Sequence, residues 1–204
     1  MTRVSKDPQE RRSELVDAAE RLFLERGFES TAVSDIVKAV NVAQGTFYCY
    51  FKTKTDVLQA VAGKTVAGLL TQVREIVNRS DTNACQQLAD TVNLIFQLEP
   101  ADRRLLDFLH METNLHLHHR VMQETLVRLT PLILHIVNAG VVQGRFKVAQ
   151  PAETTALILG AMVHVFHAPG FLDEGKRAER TAAALEHLLT RTLGAKPDSI
   201  KLDW

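Results

Sequence analysis

Cysteine, proline and glycine are scarce in this chain of 204 residues, which has 2, 6 and 10 of them. Cys49 and Cys85 do not form a C-x-x-C pair and are too few for a disulfide framework, so we expect no disulfide and a reducing cytoplasm. The low glycine and proline content excludes collagen-like and low-complexity chains. There is no excess of charge of either sign, with 24 basic and 24 acidic residues. Any binding of nucleic acid must therefore depend on local charge.

Long apolar runs are missing as well. No uninterrupted stretch reaches the roughly 18 apolar residues of a membrane span, and the N-terminal MTRVSKDPQERR has no apolar signal core. We therefore expect no membrane association and a cytoplasmic protein. The composition that remains, 46% apolar and 24% charged, is that of an ordinary globular protein. At this length it forms one large domain or two small ones, with enough residues to bury a core.

Apolar residues recur at spacings of three and four along almost the whole chain, which predicts an all-α fold of about nine helices. Pro131 is expected to kink the helix that contains it, and residues 195–204 are expected to fray. The helices are predicted at about 8–26, between Thr31 and Asn41, and at about 44–51, 54–78, 82–98, 102–118, 121–143, 151–167 and 175–193.

The second and third helices are short and are joined by the turn AVNVAQ, an arrangement typical of a helix-turn-helix. Thr31 is predicted to cap the second helix, and Asn41 is predicted to end it in a left-handed conformation. Thr53, with Asp56 three residues later, predicts a capping box at the start of the fourth helix. Phe47 is expected on the inner face of the third helix with Phe51. Four polar side chains are left wholly or partly outward: Gln44, Thr46, Tyr48 and Tyr50.

The segment ELVDAAERLFLERGFESTAVSDIVKAVNVAQGTFYCYFKTKTDVLQAV carries a specific set of residues at fixed spacing. The set comprises Ala18, Ala19, Leu22, Phe23, Gly27, Phe28, Thr31, Val33, Asp35, Ile36, Val42, Gly45, Thr46, Tyr48, Tyr50, Phe51, Lys52, Lys54 and Leu58. Over about residues 10–61 it closely resembles the DNA-binding domain of the TetR family of bacterial transcriptional regulators. The resemblance implies a helix-turn-helix domain over residues 1–54, a ligand-binding and dimerisation domain over 55–194, and a C-terminal tail over 195–204.

Three positions depart from the family pattern. Asn41 stands where glycine is usual, and asparagine can hold the same left-handed backbone at a modest cost. Ala43 stands where serine or threonine is common, so the third helix lacks a side-chain cap, at a cost of ~1 kcal/mol. Cys49 replaces a bulky aromatic residue, which removes one usual contact with the DNA backbone.

The helix-turn-helix geometry assigns a role to each candidate residue. Gln44 and Thr46 are expected to read base edges in the major groove, with Ser34 as a weaker candidate. Gly45 lets the backbone approach the duplex. Phosphate contacts are expected from Tyr48, Tyr50, Lys52 and Lys54, with a further backbone contact from Thr31. The basic cluster of Arg3, Lys6, Arg11 and Arg12 either follows the DNA backbone or is simply solvated.

The resemblance also implies how the protein acts: as a one-component regulator, a repressor that binds a palindromic operator in double-stranded DNA as a homodimer and is released by a small-molecule effector. The apolar segment ALILGAMVHVFH is compatible with a helix that faces both core and partner subunit. No cofactor is expected. The candidate effector-binding residues are Phe96, Leu106, Leu109, His110, Met111, Leu126, Leu129 and Ile133.

Three alternatives remain open from the sequence. His116 with His119, and His164 with His167, are each one helical turn apart, a spacing that suits a metal- or haem-responsive regulator. A histidine-rich metallohydrolase would need a motif such as H-E-x-x-H, which the chain lacks. A helical interaction module without DNA binding is the third, although a pure scaffold has no reason to expose Gln44, Thr46, Tyr48 and Lys54 together.

Overall fold

The computed structural model describes residues 7–97, 115–166 and 175–203, and all regular secondary structure within these ranges is helical. The all-α prediction is confirmed. Eight helices lie in the described ranges: α1 (Pro8–Arg26), α2 (Val33–Ala39), α3 (Gln44–Tyr48), α4 (Lys54–Val77), α5 (Ala84–Phe96), α6 (Leu115–Val142), α7 (Pro151–Phe166) and α8 (Gly175–Thr192).

The chain divides into two compact units. The described part of the first unit comprises residues 7–67 and 115–122, and that of the second comprises 68–97, 123–166 and 175–203. The divisions fall inside α4 and α6, so each of these helices contributes residues to both units. The predicted functional boundary between residues 54 and 55 coincides with the start of α4 and stays a prediction.

The first unit has an apolar core between α1, the two short helices, the first half of α4 and the first turns of α6. Its fully buried side chains include Leu15, Ile36, Phe47 and Leu58. Phe28 folds back as a neighbour of α1, with its ring centroid 5.1 Å from that of Phe23. This core fixes the positions of α2 and α3, the two elements that carry the predicted DNA contacts.

The N-terminus of α4 is capped as the sequence predicted. Asp56 N–H donates to Thr53 Oγ1 at 3.1 Å, and the Asp56 carboxylate accepts from Thr53 N–H at 2.9 Å. The same carboxylate also accepts from Lys52 N–H at 2.9 Å. Reciprocal bonds of this kind satisfy amides that have no partner within the helix. The chain therefore enters α4 directly after α3 in a fixed direction.

An exposed ion pair joins α1 and α4 within the first unit. The Lys64 ammonium donates to Asp17 at 2.7 Å and to Glu20 at 2.5 Å. The hydrogen bonds with Asp17 and Glu20 raise the pKa of Lys64 above its ordinary value of 10.5. The ammonium form is thus favoured in the folded state, although solvent screens an exposed pair of this kind.

Helix α6 corrects the expectation of a break near residues 119–120, because one continuous helix runs from Leu115 to Val142. The histidine-rich run LHLHHR contains no proline or glycine, so nothing in it stops a helix. Most of the helix predicted at 102–118 lies outside the described residues. Pro131 lies inside α6, and its kink stays a prediction.

Helix α6 is also long and apolar enough to cross a membrane by length and composition, with a mean hydropathy of 1.6 over its most apolar 18 residues. This differs from the expectation that no segment reaches that length. The core helix of a soluble protein passes the same test. Ile133, Ile136 and Val137 on α6 are fully buried, whereas 28% of that apolar window as a whole is buried.

In the second unit, Gly140 near the end of α6 is in close contact with Phe146, which follows the helix. The chain turns back at Gly144, whose φ is +67°, and the Phe146 ring lies against Gly140. Gly140 O accepts from Arg145 N–H and Phe146 N–H, at 2.8 and 3.0 Å. Phe146 is only 2% exposed. The absence of a side chain at Gly140 makes room for the ring.

The C-terminal segment corrects the expectation that residues 195–204 fray. Ile200 and Leu202 are buried. Leu202 N–H donates to the Glu186 carboxylate at 2.7 Å, and Asp203 N–H donates to Asn93 Oδ1 at 3.0 Å. Backbone bonds and apolar burial therefore attach the described part of this segment to α5 and α8.

Candidate DNA-binding surface

The turn between α2 and α3 has the geometry of a helix-turn-helix. Asn41 has a φ of +53°, in the left-handed region, as predicted. Asparagine tolerates this conformation better than other non-glycine residues. Val42 N–H then donates to Val37 O at 3.0 Å, which closes the turn. The single left-handed residue redirects the chain, so α3 begins three residues later.

Helix α3 separates an inner apolar face from an outer polar one. Phe47 is fully buried, and Phe51 just beyond the helix is 4% exposed. Their rings lie 5.5 Å apart. Gln44 is exposed, and Tyr48 is 54% exposed although its ring contacts the edge of Phe47. Phenylalanine anchors on one face thus hold a polar amide and a phenol toward solvent on the other.

The backbone of α3 is open to close approach. Gly45 is exposed, and a Cβ added there would meet nothing within 4 Å. Packing within the described residues therefore does not require glycine at this position. Cys49, also exposed, donates its thiol weakly to Gly45 O at 3.3 Å. Ala43, the N-cap residue, provides no side-chain hydrogen bond, as the sequence indicated.

Thr31 requires a correction. It was predicted to cap α2 and to contact the DNA backbone, but its side chain is fully buried. Its hydroxyl donates to Gly27 O at 2.8 Å, with Leu22 O at 3.3 Å. The N-cap residue of α2 is Ala32, whose N–H donates to the Asp35 carboxylate at 3.0 Å. The capping prediction is wrong, and burial removes the Thr31 side chain from the exposed surface.

The other candidates differ in exposure. Ser34 and Lys52 are exposed, whereas Thr46 and Tyr50 are partly buried. Lys54 is partly buried as well, and its ammonium donates to Phe28 O at 2.7 Å. Gln44, Gly45, Tyr48 and Lys52 therefore lie on the exposed surface of the α3 region, and the Lys54 ammonium bonds to protein. This contact joins residues 26 positions apart, a separation that no local motif in the sequence indicates.

The basic cluster near the N-terminus is only partly described. Arg3 and Lys6 lie outside the described residues. Arg11 donates to Glu14 at 2.5 Å, and the Arg12 guanidinium lies 5.0 Å from the centre of the Phe51 ring. Both arginines thus contact other groups of the first unit.

The candidate effector-binding residues divide into two groups. Leu106, Leu109, His110 and Met111 lie outside the described residues. Phe96, Leu129 and Ile133 are buried, Leu126 is partly buried, and the Phe96 ring contacts Phe166 at 5.8 Å between centroids. The role of the described members in effector binding stays a prediction.

Histidine pairs suggested a metal-responsive alternative. Within residues 7–97, 115–166 and 175–203, no group of three or more histidine, cysteine, aspartate or glutamate side chains is placed to hold a metal ion. His167, one member of the second pair, lies outside these ranges.

Comparisons with known proteins agree with this geometry. Residues 15–61 match the family model of bacterial regulatory proteins of the tetR family. The chain is 28% identical over 137 residues to the fatty acid metabolism regulator protein of Bacillus subtilis (strain 168), covering 66% of this chain and 70% of the relative. Other curated regulators match over segments of about a third of their own length.

Solved structures extend the likeness to most of the chain at the level of fold. GusR of Salmonella enterica superposes with a TM-score of 0.67 at 19% identity, covering 93% of this chain and 98% of that one. The transcriptional regulator FadR from Bacillus subtilis, in complex with stearoyl-CoA, gives a TM-score of 0.60 at 22% identity, covering 89% and 97%. The helix-turn-helix, the family match and these relatives together identify the chain as a member of the TetR family and a DNA-binding transcriptional regulator.

Proposed function

We propose that this protein is a cytoplasmic repressor, without enzymatic activity, that binds a palindromic operator as a homodimer and releases it on binding a small-molecule effector. Residues 1–54 carry the DNA-binding function, residues 55–194 the effector-binding and dimerisation functions, and 195–204 form the C-terminal segment. The observation that carries the proposal is the outer face of α3, where Gln44 and Tyr48 are exposed above two buried phenylalanines.

Sequence recognition is assigned to the N-terminal part of α3. The exposed Gln44 amide can pair with adenine through two hydrogen bonds, and Thr46 and Ser34 supply further hydroxyl contacts. Tyr48, Tyr50 and Lys52 contact phosphates and set the register on the duplex. Gly45 allows the backbone to come close. The exposure of these residues supports the assignment, least so for Thr46 and Tyr50, which are partly buried.

Dimerisation is assigned to α7, which carries the apolar segment ALILGAMVHVFH expected to face a partner subunit, and to α8, and both helices expose apolar side chains. Leu157 on α7 is 73% exposed and Leu188 on α8 is 42% exposed. Gly160 is also exposed, with nothing within 4 Å of a Cβ built there. Small and apolar residues on one helix surface favour close packing against a second copy. A dimer also doubles the number of phosphate contacts, which a single helix-turn-helix needs for tight binding.

The effector is proposed to be an apolar acyl compound. This rests on the relatives: one is named a fatty acid metabolism regulator, and a solved structure of similar fold contains stearoyl-CoA. Such a ligand releases DNA only if it binds the non-binding conformation more tightly than the DNA-binding one. Stearoyl-CoA is therefore the first effector to test.

The test starts from duplexes selected out of a random double-stranded DNA library by the full-length protein. Binding of the selected duplex is measured by fluorescence anisotropy for the wild type, Gln44→Ala and Gln72→Ala. Gln72 is an exposed glutamine of α4, so its replacement is the same chemical change away from α3. We expect Gln44→Ala to relax the base preference at one position of each half-site, at a cost of about 1–3 kcal/mol. Gln72→Ala should bind as the wild type does.

Effector release is measured on the same complex by adding stearoyl-CoA. A selected palindrome whose binding weakens with the acyl compound supports the whole proposal. Failure to select any duplex at low salt contradicts DNA binding. Selection of a palindrome that stearoyl-CoA does not release contradicts only the effector class.

A further inference from the structure

The connector between α1 and α2, residues 27–32, is held by side chains that bond to its backbone carbonyls. Thr31 Oγ1 donates to Gly27 O at 2.8 Å. The Lys54 ammonium donates to Phe28 O at 2.7 Å and lies 3.4 Å from Glu29 O. Three successive carbonyls therefore have side-chain partners. Because Lys54 is the first residue of α4, its bond joins the start of α4 to the segment that leads into α2.

The position of the Lys54 ammonium is explained by the connector. A cation at a helix N-terminus is opposed by the helix dipole. Here the Nζ atom lies 4.1 Å from the centre of the Phe28 ring, in addition to its bonds with two carbonyls. Carbonyl dipoles and an aromatic face both attract an ammonium group. These contacts compensate the unfavourable dipole and hold the lysine side chain toward the protein.

The bonded ammonium has a consequence for DNA binding. Two of the three N–H groups of the Lys54 ammonium bond to Phe28 O and Glu29 O, so at most one is left for a phosphate, and pulling the side chain toward DNA would weaken its bonds to the connector. Lys52, two residues earlier, is exposed, so its side chain can meet a phosphate at the protein surface. The two lysines therefore differ in kind, although the sequence places them together.

We propose that Lys54 is a positioning residue of the DNA-binding domain: its ammonium clamps the α1–α2 connector to the N-terminus of α4, and its effect on DNA is exerted through the placement of α2 and α3. The DNA part of this inference rests on the proposed operator binding, whereas the clamp itself does not. A phosphate contact and a clamp differ in two measurable ways. Loss of a phosphate contact weakens binding to all sequences and makes the salt dependence shallower. Loss of a clamp misplaces α3 and weakens binding to the selected sequence alone.

The experiment compares Lys54→Met with Lys52→Met, which makes the same change at the exposed lysine. Anisotropy titrations use the library-selected duplex and a scrambled duplex of equal length, between about 50 and 200 mM salt. For Lys54→Met we expect about tenfold weaker binding to the selected duplex, unchanged binding to the scrambled one and an unchanged salt slope. For Lys52→Met we expect weaker binding to both, with a slope reduced by about 0.9. Lys54→Arg keeps the charge and donors and should restore the selected-duplex affinity.

A reduced slope for Lys54→Met, or an affinity equal to that of the wild type, would overturn the clamp. Thermal unfolding without DNA provides an independent measurement. Lys54→Met should lower Tm by about 3–6 °C and Lys52→Met should leave it unchanged. If no duplex can be selected, the proposed operator binding has failed. The clamp is then judged by thermal unfolding alone, and a Lys54→Met protein with an unchanged Tm refutes it. If Lys54→Met does not fold, Lys54→Gln, which keeps one donor group, replaces it in every comparison.

Discussion

Replacing Gly140 by alanine should destabilise the second unit, because the added methyl group has no space. A Cβ at this position would lie 2.0 Å from Cδ2, 2.4 Å from Cε2 and 2.8 Å from Cγ of Phe146. Favourable carbon–carbon contacts lie at about 3.5–4.0 Å. The ring is 2% exposed, so it must either push into the core or leave it.

The two responses have similar costs. Overpacking a core costs about 1–3 kcal/mol, and exposing a buried phenylalanine costs about 1.5–3 kcal/mol. Alanine in a helix recovers about 0.5–1 kcal/mol relative to glycine. The net expectation is a loss of about 1.5 kcal/mol, which for a chain of this size lowers Tm by about 3–6 °C.

Gly68→Ala is the matched control, since Gly68 lies in helix α4, is exposed, and has nothing within 4 Å of a built Cβ. It should raise Tm by about 1–4 °C through helix propensity alone. Both variants are measured by calorimetry at one fixed protein concentration, because the proposed dimerisation would make Tm depend on concentration. Adding Phe146→Leu should reduce the cost of Gly140→Ala. A Gly140→Ala protein as stable as Gly68→Ala would refute the steric argument.

Three further predictions concern the dimer surface, the exposed ion pair and the C-terminal segment. Leu157→Glu on α7 should give a monomer by light scattering, whereas Val127→Glu on α6 should stay dimeric, although the two side chains are 73% and 72% exposed. A dimeric Leu157→Glu protein would contradict the assigned interface. The pKa of Lys64 is raised in the folded state, so the stability difference between wild type and Lys64→Met should be constant below pH 10.5 and should shrink as the pH rises through the folded pKa. Urea unfolding across pH 8–12 measures this difference, and a difference that grew with pH would contradict the sign. Leu202→Ala, at a side chain 7% exposed, should cost about 2–5 kcal/mol of folding free energy, whereas Lys201→Ala, at an exposed side chain, should cost less than about 0.5 kcal/mol. A loss for Leu202→Ala as small as that for Lys201→Ala would mean that the segment contributes no core packing.

Local chemistry predicted much of the DNA-binding domain. Three features depend on neighbours within four residues, which a sequence displays directly: the left-handed turn at Asn41, the capping box of Thr53 and Asp56, and the inward-facing Phe47 and Phe51. The roles assigned to Gln44 and Lys52 follow from the same pattern and remain predictions, although both side chains are exposed as expected.

The errors arose where distant residues decide. Thr31 has the local pattern of a cap, but tertiary packing buries its side chain, and its hydroxyl bonds to Gly27 O and to Leu22 O of α1, nine residues earlier. The C-terminal segment is polar in composition, and only the packing of Ile200 and Leu202 against other elements attaches it. The bond from Lys54 to Phe28 likewise depends on how α4 returns to the connector. Contacts of this range follow from the tertiary fold and have no periodic pattern in the sequence.

The scarcity of cysteine gives this protein a practical property. Of the two thiols in the chain, Cys49 is exposed at the end of α3 and Cys85 is 4% exposed inside the second unit. A thiol-reactive fluorophore should therefore attach at one position of the unmodified native sequence, one helical turn from Gly45. The emission of such a label would report the arrival and departure of a duplex in real time, without any engineered cysteine.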